Sequence, residues 1–395
     1  MTSASGTQQA VVLSSGGADG AYAVGAMKAL VAGQSAATGH QPLDPQIVKG
    51  SSIGAFNAAY LVSYLEKMDA VAAVANLEHC WLEDLAEHPD RRGNGAYRFR
   101  GDLMQVLDAH NLATDPVHTL GHMAEDSLFL ARDWFERILY FAASDEPLAK
   151  QSLKLLDLSS FISSEPLLRL IERVIDFDRI RQSSRKLKIA VTNWDTGEME
   201  IFSNRDMTDE HGPSIVLASQ SLPGFFAPVE INGNLYVDAA VLGYARLDAA
   251  IDAGAGIIHV IYVDPDIENI PGKALHSTLE TLYRVFVLTW AERLNRSIKF
   301  VNKINKQIKV LDEIAREAKL SQAQIDRTLQ ALVPPTRRGR SVSRLAIHRY
   351  HPRDDLYGPL GILNLDRDRI GALIKRGYKD TVQHDCADSE CALLD

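Results

Sequence analysis

The chain has 395 residues, 46% of them apolar and 24% charged, a profile of ordinary folded proteins that excludes disordered, collagenous and disulfide-scaffold classes. Lys and Arg total 42 against 51 Asp and Glu, a formal charge of −9, so the overall field repels a polyphosphate backbone and nucleic-acid binding is disfavoured. Cys80, Cys386 and Cys391 cannot all pair within one chain, which suits a reducing compartment or indifferent thiols. The last two fall in an acidic tail expected to fray rather than to bind zinc. No cleavable signal segment is expected, and the apolar runs are too short for a spanning helix.

At about 150 residues per domain the length suits two or three units, although one α/β domain runs past about 200 residues. The run Ala10-Val11-Val12-Leu13 predicts a buried strand, followed by the turn Ser14-Ser15-Gly16-Gly17-Ala18-Asp19-Gly20 and a helix over 21–30. The same grammar recurs in Ile47-Val48-Lys49, then Gly50-Ser51-Ser52-Ile53-Gly54, then a helix over 55–65. Two strand-turn-helix units in succession predict a parallel sheet.

Between 77 and 185 the texture becomes leucine-rich and charged with apolar positions three and four apart, the pattern of a mostly helical insertion. Strands return over 187–193 and in Val229-Glu230-Ile231 and Leu235-Tyr236-Val237. The last two flank Asn232-Gly233, which suits the positive φ angles of a tight hairpin and delivers Asp238 to a strand end. A helix over 247–253 ends at Gly254, and a buried strand follows over 257–263. Beyond Pro265 the chain reads helical, with Val301, Ile304, Ile308 and Leu311 on one face. A flexible basic loop is expected at 334–340, its cluster continuing through Arg344, Arg349 and Arg353. No repeat of 20 to 50 residues is found.

Gly50-Ser51-Ser52-Ile53-Gly54 fits G-x-S-x-G with Ser52 central, between a predicted strand and a predicted helix. A nucleophile there occupies a strained turn, and tiny residues two positions either side let strand and helix approach. The hydroxyl also sits at a helix N-terminus, which favours developing negative charge. By average usage such a pentapeptide arises by chance in a chain of this length about one time in ten, and the bland alternative for Ser52 is a helix cap, but the flanking strand and the alanines through Ala59 fit the elbow better. A base is harder to find. Only 51 residues precede Ser52, too few for the strands that an α/β-hydrolase places ahead of its nucleophile. His259 lies in an apolar strand and reads as a core residue, while His348 and His351 fall in the basic loop region. The turn Gly16 to Gly20 offers backbone N–H groups to an anion, phosphate or oxyanion. A Rossmann-type nucleotide site fits less well, because Ser15 interrupts G-x-G-x-x-G and the Ser52 elbow is left unexplained.

The order of these elements resembles the patatin-like phospholipase family: a strand with a glycine-rich turn, a G-x-S-x-G elbow soon after, and an Asp motif much later. It is carried by 13–30, 49–59 and 218–240, including Ala218-Ser219-Gln220-Ser221-Leu222-Pro223-Gly224-Phe225-Phe226-Ala227-Pro228-Val229 and Val237-Asp238-Ala239-Ala240. The stretch from Asn364-Leu365-Asp366 through Gly377-Tyr378-Lys379-Asp380 also looks family-like. The resemblance implies a three-layer α/β/α fold with a mainly parallel central sheet. It would be a single domain over 1–395, with the helical insertion at 77–185, a mostly helical C-terminal region at 266–380 and the acidic tail at 381–395.

It also implies a Ser-Asp dyad, with Ser52 as nucleophile and Asp238 as direct base, and an oxyanion hole from the backbone N–H groups of Gly16, Gly17 and Ala18. No metal and no organic cofactor are implied. The implied substrate is a phospholipid or another acyl-ester lipid, met in transient contact with a membrane surface to which the basic loop would contribute. The location would be cytoplasmic, peripheral at membranes, or exported without a cleavable signal. Three positions depart from the family pattern: Ser15 replaces the first glycine of its triplet, Asp19 stands where it carries Arg or Lys, and Ala239 replaces the glycine after the Asp. A carboxylate at 19 opposes an oxyanion and removes a cation, which leaves a non-catalytic lipid- or protein-binding relative as the alternative.

Overall fold

The computed structural model describes residues 7–88, 93–100, 162–242, 247–263, 278–321, 323–325, 327–328, 345–354, 356 and 359–393. In chain order the elements are β1 (Gln9–Ser15), α1 (Gly20–Val31), β2 (Ile47–Ser52), α2 (Ile53–Tyr64), α3 (Ala70–Cys80), β3 (Arg98–Phe99), β4 (Ile162–Ser163), α4 (Glu165–Val174) and α5 (Phe177–Gln182). There follow β5 (Lys186–Asn193), β6 (Met199–Ser203), α6 (Gly212–Ala218), β7 (Val229–Ile231), β8 (Asn234–Asp238), α7 (Asp248–Ala253), β9 (Ile257–Tyr262), α8 (Thr278–Glu317), β10 (Ala346–Tyr350) and α9 (Arg367–Val382).

The main sheet has the order β10-β9-β1-β2-β5-β8-β7, with β6 also paired to β5. The pairs from β10 through β5 are parallel, and β6, β8 and β7 add antiparallel. Strand alternation divides the core in two. Val11 and Leu13 face one cluster with helices α1 to α6 and α9, while Ala10 and Val12 face the other with α7 and α8. The molecule is thus a three-layer α/β/α sandwich, and because helices cover both faces its central strands are buried on both sides rather than alternately. All six residues of β2 are buried.

Several local expectations are met for the reasons that prompted them. Asn232 and Gly233 take φ of 52° and 76° between β7 and β8, and Gly254 caps α7 at φ 103°. Val301, Ile304, Ile308 and Leu311 are the buried face of α8. Residues 101–161, which hold most of the expected insertion, and the expected loop at 334–340 lie outside the described residues.

Two expectations are corrected. The basic cluster does not run as a loop through Arg349, because β10 occupies Ala346–Tyr350 and all five residues are buried. His348 is therefore a strand residue, and Arg349 turns inward to the Tyr262 hydroxyl at 2.7 and 3.0 Å and to Asn295 Oδ1 at 3.1 Å. Neither cation nor imidazole is offered to a membrane surface there. The tail does not fray either. Ala392 exchanges two backbone hydrogen bonds with Ile347, at 2.8 and 3.0 Å, so the chain end lies along the edge of β10.

Helix α9 crosses α1 at close range, because Gly25 faces the Ile374 backbone and Gly377 the Tyr22 backbone; a Cβ at either would overlap a carbonyl oxygen. Gly25→Val is therefore expected to cost about 1–3 kcal/mol by overpacking, read as a lower urea midpoint.

Candidate active site

Ser52 ends β2 immediately before α2, with φ 54° and ψ −140°, a conformation costing about 1–3 kcal/mol for a residue with a side chain. The elbow forms because its flanks are bare: a Cβ at Gly54 would overlap the Leu13 carbonyl, and one at Gly50 the Gly54 carbonyl. The strained residue is also tethered. Its N–H donates to Ser219 Oγ at 3.1 Å, and that hydroxyl donates to the Ala190 carbonyl of β5 at 2.7 Å.

Asp238 reaches Ser52 through sheet register. Strand β6 pairs with β5 at Lys188 and Ile189, where β2 also pairs, and at Val191 and Thr192, where β8 also pairs, so β2 and β8 must share the opposite edge of β5. Strand β2 runs parallel to β5 and last pairs at Gly50 with Ile189; β8 runs antiparallel and last pairs at Asp238 with Val191. The two strands meet C-terminal end to C-terminal end. There Ser52 and Asp238 line one cleft, the serine hydroxyl near enough to pull the carboxylate's pKa down, and Asp238 Oδ1 accepts the Ala240 N–H at 2.9 Å. The backbone is held as well: Asp238 N–H donates to the Ser221 carbonyl at 3.0 Å, and the Thr192 hydroxyl donates to the Asp238 carbonyl at 3.2 Å.

Asp238 is 1% exposed. Burial pushes its pKa up to about 7, against the smaller opposite pull of the hydrogen bonds from Ala240 and Ser52. Such a carboxylate changes protonation state near neutral pH, as an ordinary surface Asp does not.

Gly16, Gly17 and Ala18 line the same cleft as Ser52 and Asp238. Gly16 is extended, Gly17 takes φ 52°, and the turn Gly17–Asp19 feeds α1. The cleft is narrow, about 70 Å³, and its walls are apolar, among them Leu85, Leu217, Leu222, Phe225 and Ile362. It therefore suits a hydrocarbon chain better than a polar metabolite. Among the described residues no histidine lines it. His259 lies in β9, buried, with Nδ1 3.1 Å from the Tyr350 hydroxyl.

Two of the departures in this region lose their force. Ala239 is not among the residues with positive φ, so the glycine it replaces is not needed for conformation. Asp19 is buried and pairs with Arg369 of α9, Oδ1 to a guanidinium nitrogen at 2.5 Å. Arg369 is fixed further by the carbonyls of Leu356 at 3.1 Å and Asn364 at 2.8 Å. A cation thus stands beside the glycine loop after all, supplied from the far end of the chain. Sequence reasoning assigned no role to Ser219 or Arg369. Both fall inside quoted family-like segments, but nothing in their spacing reveals their partners.

A family model described as Patatin-like phospholipase matches residues 11–251. Among solved structures, that of VipD from Legionella pneumophila is similar at 16% identity and a TM-score of 0.36, over 95% of this chain and 66% of that one. No curated protein matches the sequence.

Removing one partner of the buried Asp19–Arg369 pair strands the other. Asp19→Ala is expected to cost about 3–5 kcal/mol, whereas Asp19→Met combined with Arg369→Leu stays near wild type, both read by equilibrium unfolding. Asp19→Arg, which brings two guanidinium groups together, is expected to destabilise the fold rather than to improve the site.

Proposed function

Because the chain belongs to the patatin-like phospholipase family, a family of lipid acyl hydrolases, we propose that it hydrolyses carboxylic esters of lipids with Ser52 as nucleophile and Asp238 as base. The observation that carries this reading is the Ser52 hydroxyl sharing an apolar cleft with a buried carboxylate whose pKa is pushed up to about 7. A serine alcohol needs a partner to take its proton, and a carboxylate raised toward neutrality is suited to the transfer.

The steps follow from that arrangement. Ser52 Oγ attacks the ester carbonyl carbon while its proton passes to Asp238, and the carbonyl oxygen becomes an oxyanion. Backbone N–H groups of Gly16, Gly17 and Ala18 hold that charge, supported by the N-terminus of α1. Asp238 then returns the proton to the departing alcohol, leaving an acyl-serine. Water attacks this ester with Asp238 again as base, and the carboxylic acid and free Ser52 are restored. Asp19 does not oppose the oxyanion, since the Arg369 guanidinium balances its charge.

A phospholipase A, lysophospholipase or esterase activity is the fitting class, and transient contact with a lipid surface is part of the reading because the acyl chain must leave its aggregate. Among the described residues no helix is long and apolar enough to cross a membrane. The binding-module alternative rested on Asp19 as a disabling change, which its pairing with Arg369 does not favour.

Wild-type protein is expected to react with a fluorophosphonate probe and to release p-nitrophenol from acyl esters, and Ser52→Ala to lose both. Asp238→Asn should lower kcat/KM by about 10²–10⁴-fold. Saturable lipid binding by a folded chain that neither labels nor turns over would sink the enzyme and leave the binding module.

The pH dependence has a definite sign. Catalysis needs ionised Asp238, so kcat/KM should rise with pH and level off above about 7. Stability runs the other way. The folded pKa lies above the ordinary 3.8, so the folded state keeps a proton that the unfolded chain has released, and this contribution is lost as pH rises toward about 7. Asp238→Asn should therefore raise the melting temperature more at pH 8 than at pH 5, measured by calorimetry.

A further inference from the structure

Beyond α9 the chain turns back over β10, and this return gathers four metal-ligating side chains far from Ser52 in sequence. His348 projects from β10, His384 follows α9, and Cys386 and Cys391 bracket a tight turn. The donor atoms of all four lie within 4.8 Å of one another. Cys386 Sγ is 3.4 Å from His348 Nδ1 and 3.5 Å from His384 Nε2, and Cys391 Sγ is 3.5 Å from the same His384 Nε2. A tetrahedral zinc ion with Zn–S near 2.3 Å and Zn–N near 2.0–2.1 Å requires nitrogen-to-sulfur edges of about 3.5 Å. Three edges of the observed cluster have that length.

We propose that His348, His384, Cys386 and Cys391 bind one zinc ion in a closed, structural Cys2His2 site. The surrounding groups orient the donors as such a site needs. His384 directs Nε2 to the sulfurs while its Nδ1 faces Ser389 Oγ at 3.3 Å, a hydroxyl able to accept an Nδ1 proton and leave the Nε2 lone pair free. Cys391 Sγ accepts the Arg349 backbone N–H at 3.3 Å, which fixes the sulfur beside β10. Rings fix the imidazoles: His259 stacks on His348 at 5.2 Å, and Tyr350 packs on His384 at 4.6 Å. The turn is prefolded by the Asp385 carboxylate, which accepts the N–H groups of Ala387 and Asp388 at 2.7 and 3.0 Å, and closed by Cys391 N–H to the Cys386 carbonyl at 2.9 Å.

The balance is simple. Two thiols release their protons to solvent, two neutral imidazoles contribute lone pairs, and the two thiolates cancel the charge of Zn²⁺; nothing is oxidised or reduced. Four protein ligands fill a tetrahedron and leave no position for substrate, so the ion's work is structural. It fastens the tail along β10, covering a sheet edge that would otherwise be open to pairing. It also anchors the C-terminal end of α9, the helix whose first turn carries Arg369 to Asp19.

The test is metal content of the full chain, produced without a histidine tag in zinc-replete medium, kept reduced and desalted. Wild type should carry about one zinc per chain, while His384→Ala and the Cys386→Ser, Cys391→Ser double variant fall below roughly one tenth. His351→Ala, outside the cluster, should keep its zinc. Because the ligand variants risk misfolding, the wild type also decides alone. Exchange for cobalt should give the intense visible bands of a tetrahedral ion together with a near-ultraviolet thiolate-to-metal band. A reduced, replete wild type without zinc, an octahedral cobalt spectrum, or zinc retained by the double-cysteine variant would each overturn the assignment.

Discussion

One edge of one strand organises the site. Strand β5 gives its first half to parallel β2 and its last residues to antiparallel β8, so the two must end facing each other. That collision prevents β2 from continuing and puts the elbow at Ser52, and it forces the last residue of β8, Asp238, into the interior. The costs are a strained serine backbone and a desolvated carboxylate, and the surroundings offset them. The Ser219 hydroxyl ties the elbow to β5, and the Ala240 N–H gives the carboxylate a hydrogen bond. In the proposed chemistry the same desolvation makes Asp238 a useful base, so the stability cost and the catalytic capacity have one origin.

A second, longer-range constraint joins the chain's two ends. The glycine loop after β1 carries an acid whose counter-charge comes from α9, 350 residues on. Helix α9 can bring Arg369 there because Gly25 and Gly377 let it pack closely on α1. With the tail clasped to β10 beyond it, α9 is held at both ends, and the electrostatics beside the glycine loop depend on packing far from the cleft. The Asp-for-cation exchange at position 19 is therefore a rearrangement of charge rather than a loss of it.

Much of the nucleophile side of the site is legible in the linear order. Val11 and Val12 before glycines, Gly50 and Gly54 around Ser52, and Asn232-Gly233 between two short strands act locally, because backbone sterics within a few residues decide the conformation. Other features are invisible there. β10 reads as polar loop because Ala346-Ile347-His348-Arg349-Tyr350 alternates in no useful way, and Arg349 is tolerated inside because Tyr262, Asn295 and Glu390 meet it. Ser219 is one serine among several until the Ser52 N–H and Ala190 carbonyl bracket it. Cys386 and Cys391 look like tail residues until β10 presents His348 to them.

The amino-acid order by itself determined the strand-turn-helix units, the elbow at Ser52, the hairpin that delivers Asp238, and the kinship those motifs signal, all consequences of short-range sterics and periodicity. Only the tertiary structure decided how the ends of β2 and β8 come together, how far burial raises the proton affinity of Asp238, and where Asp19 finds its cation. It alone gathered two imidazoles and two thiols on one side of β10. The reason is physical: charge, solvation and coordination depend on distances through space, and sheet register and helix crossing set those distances between residues that the chain keeps far apart.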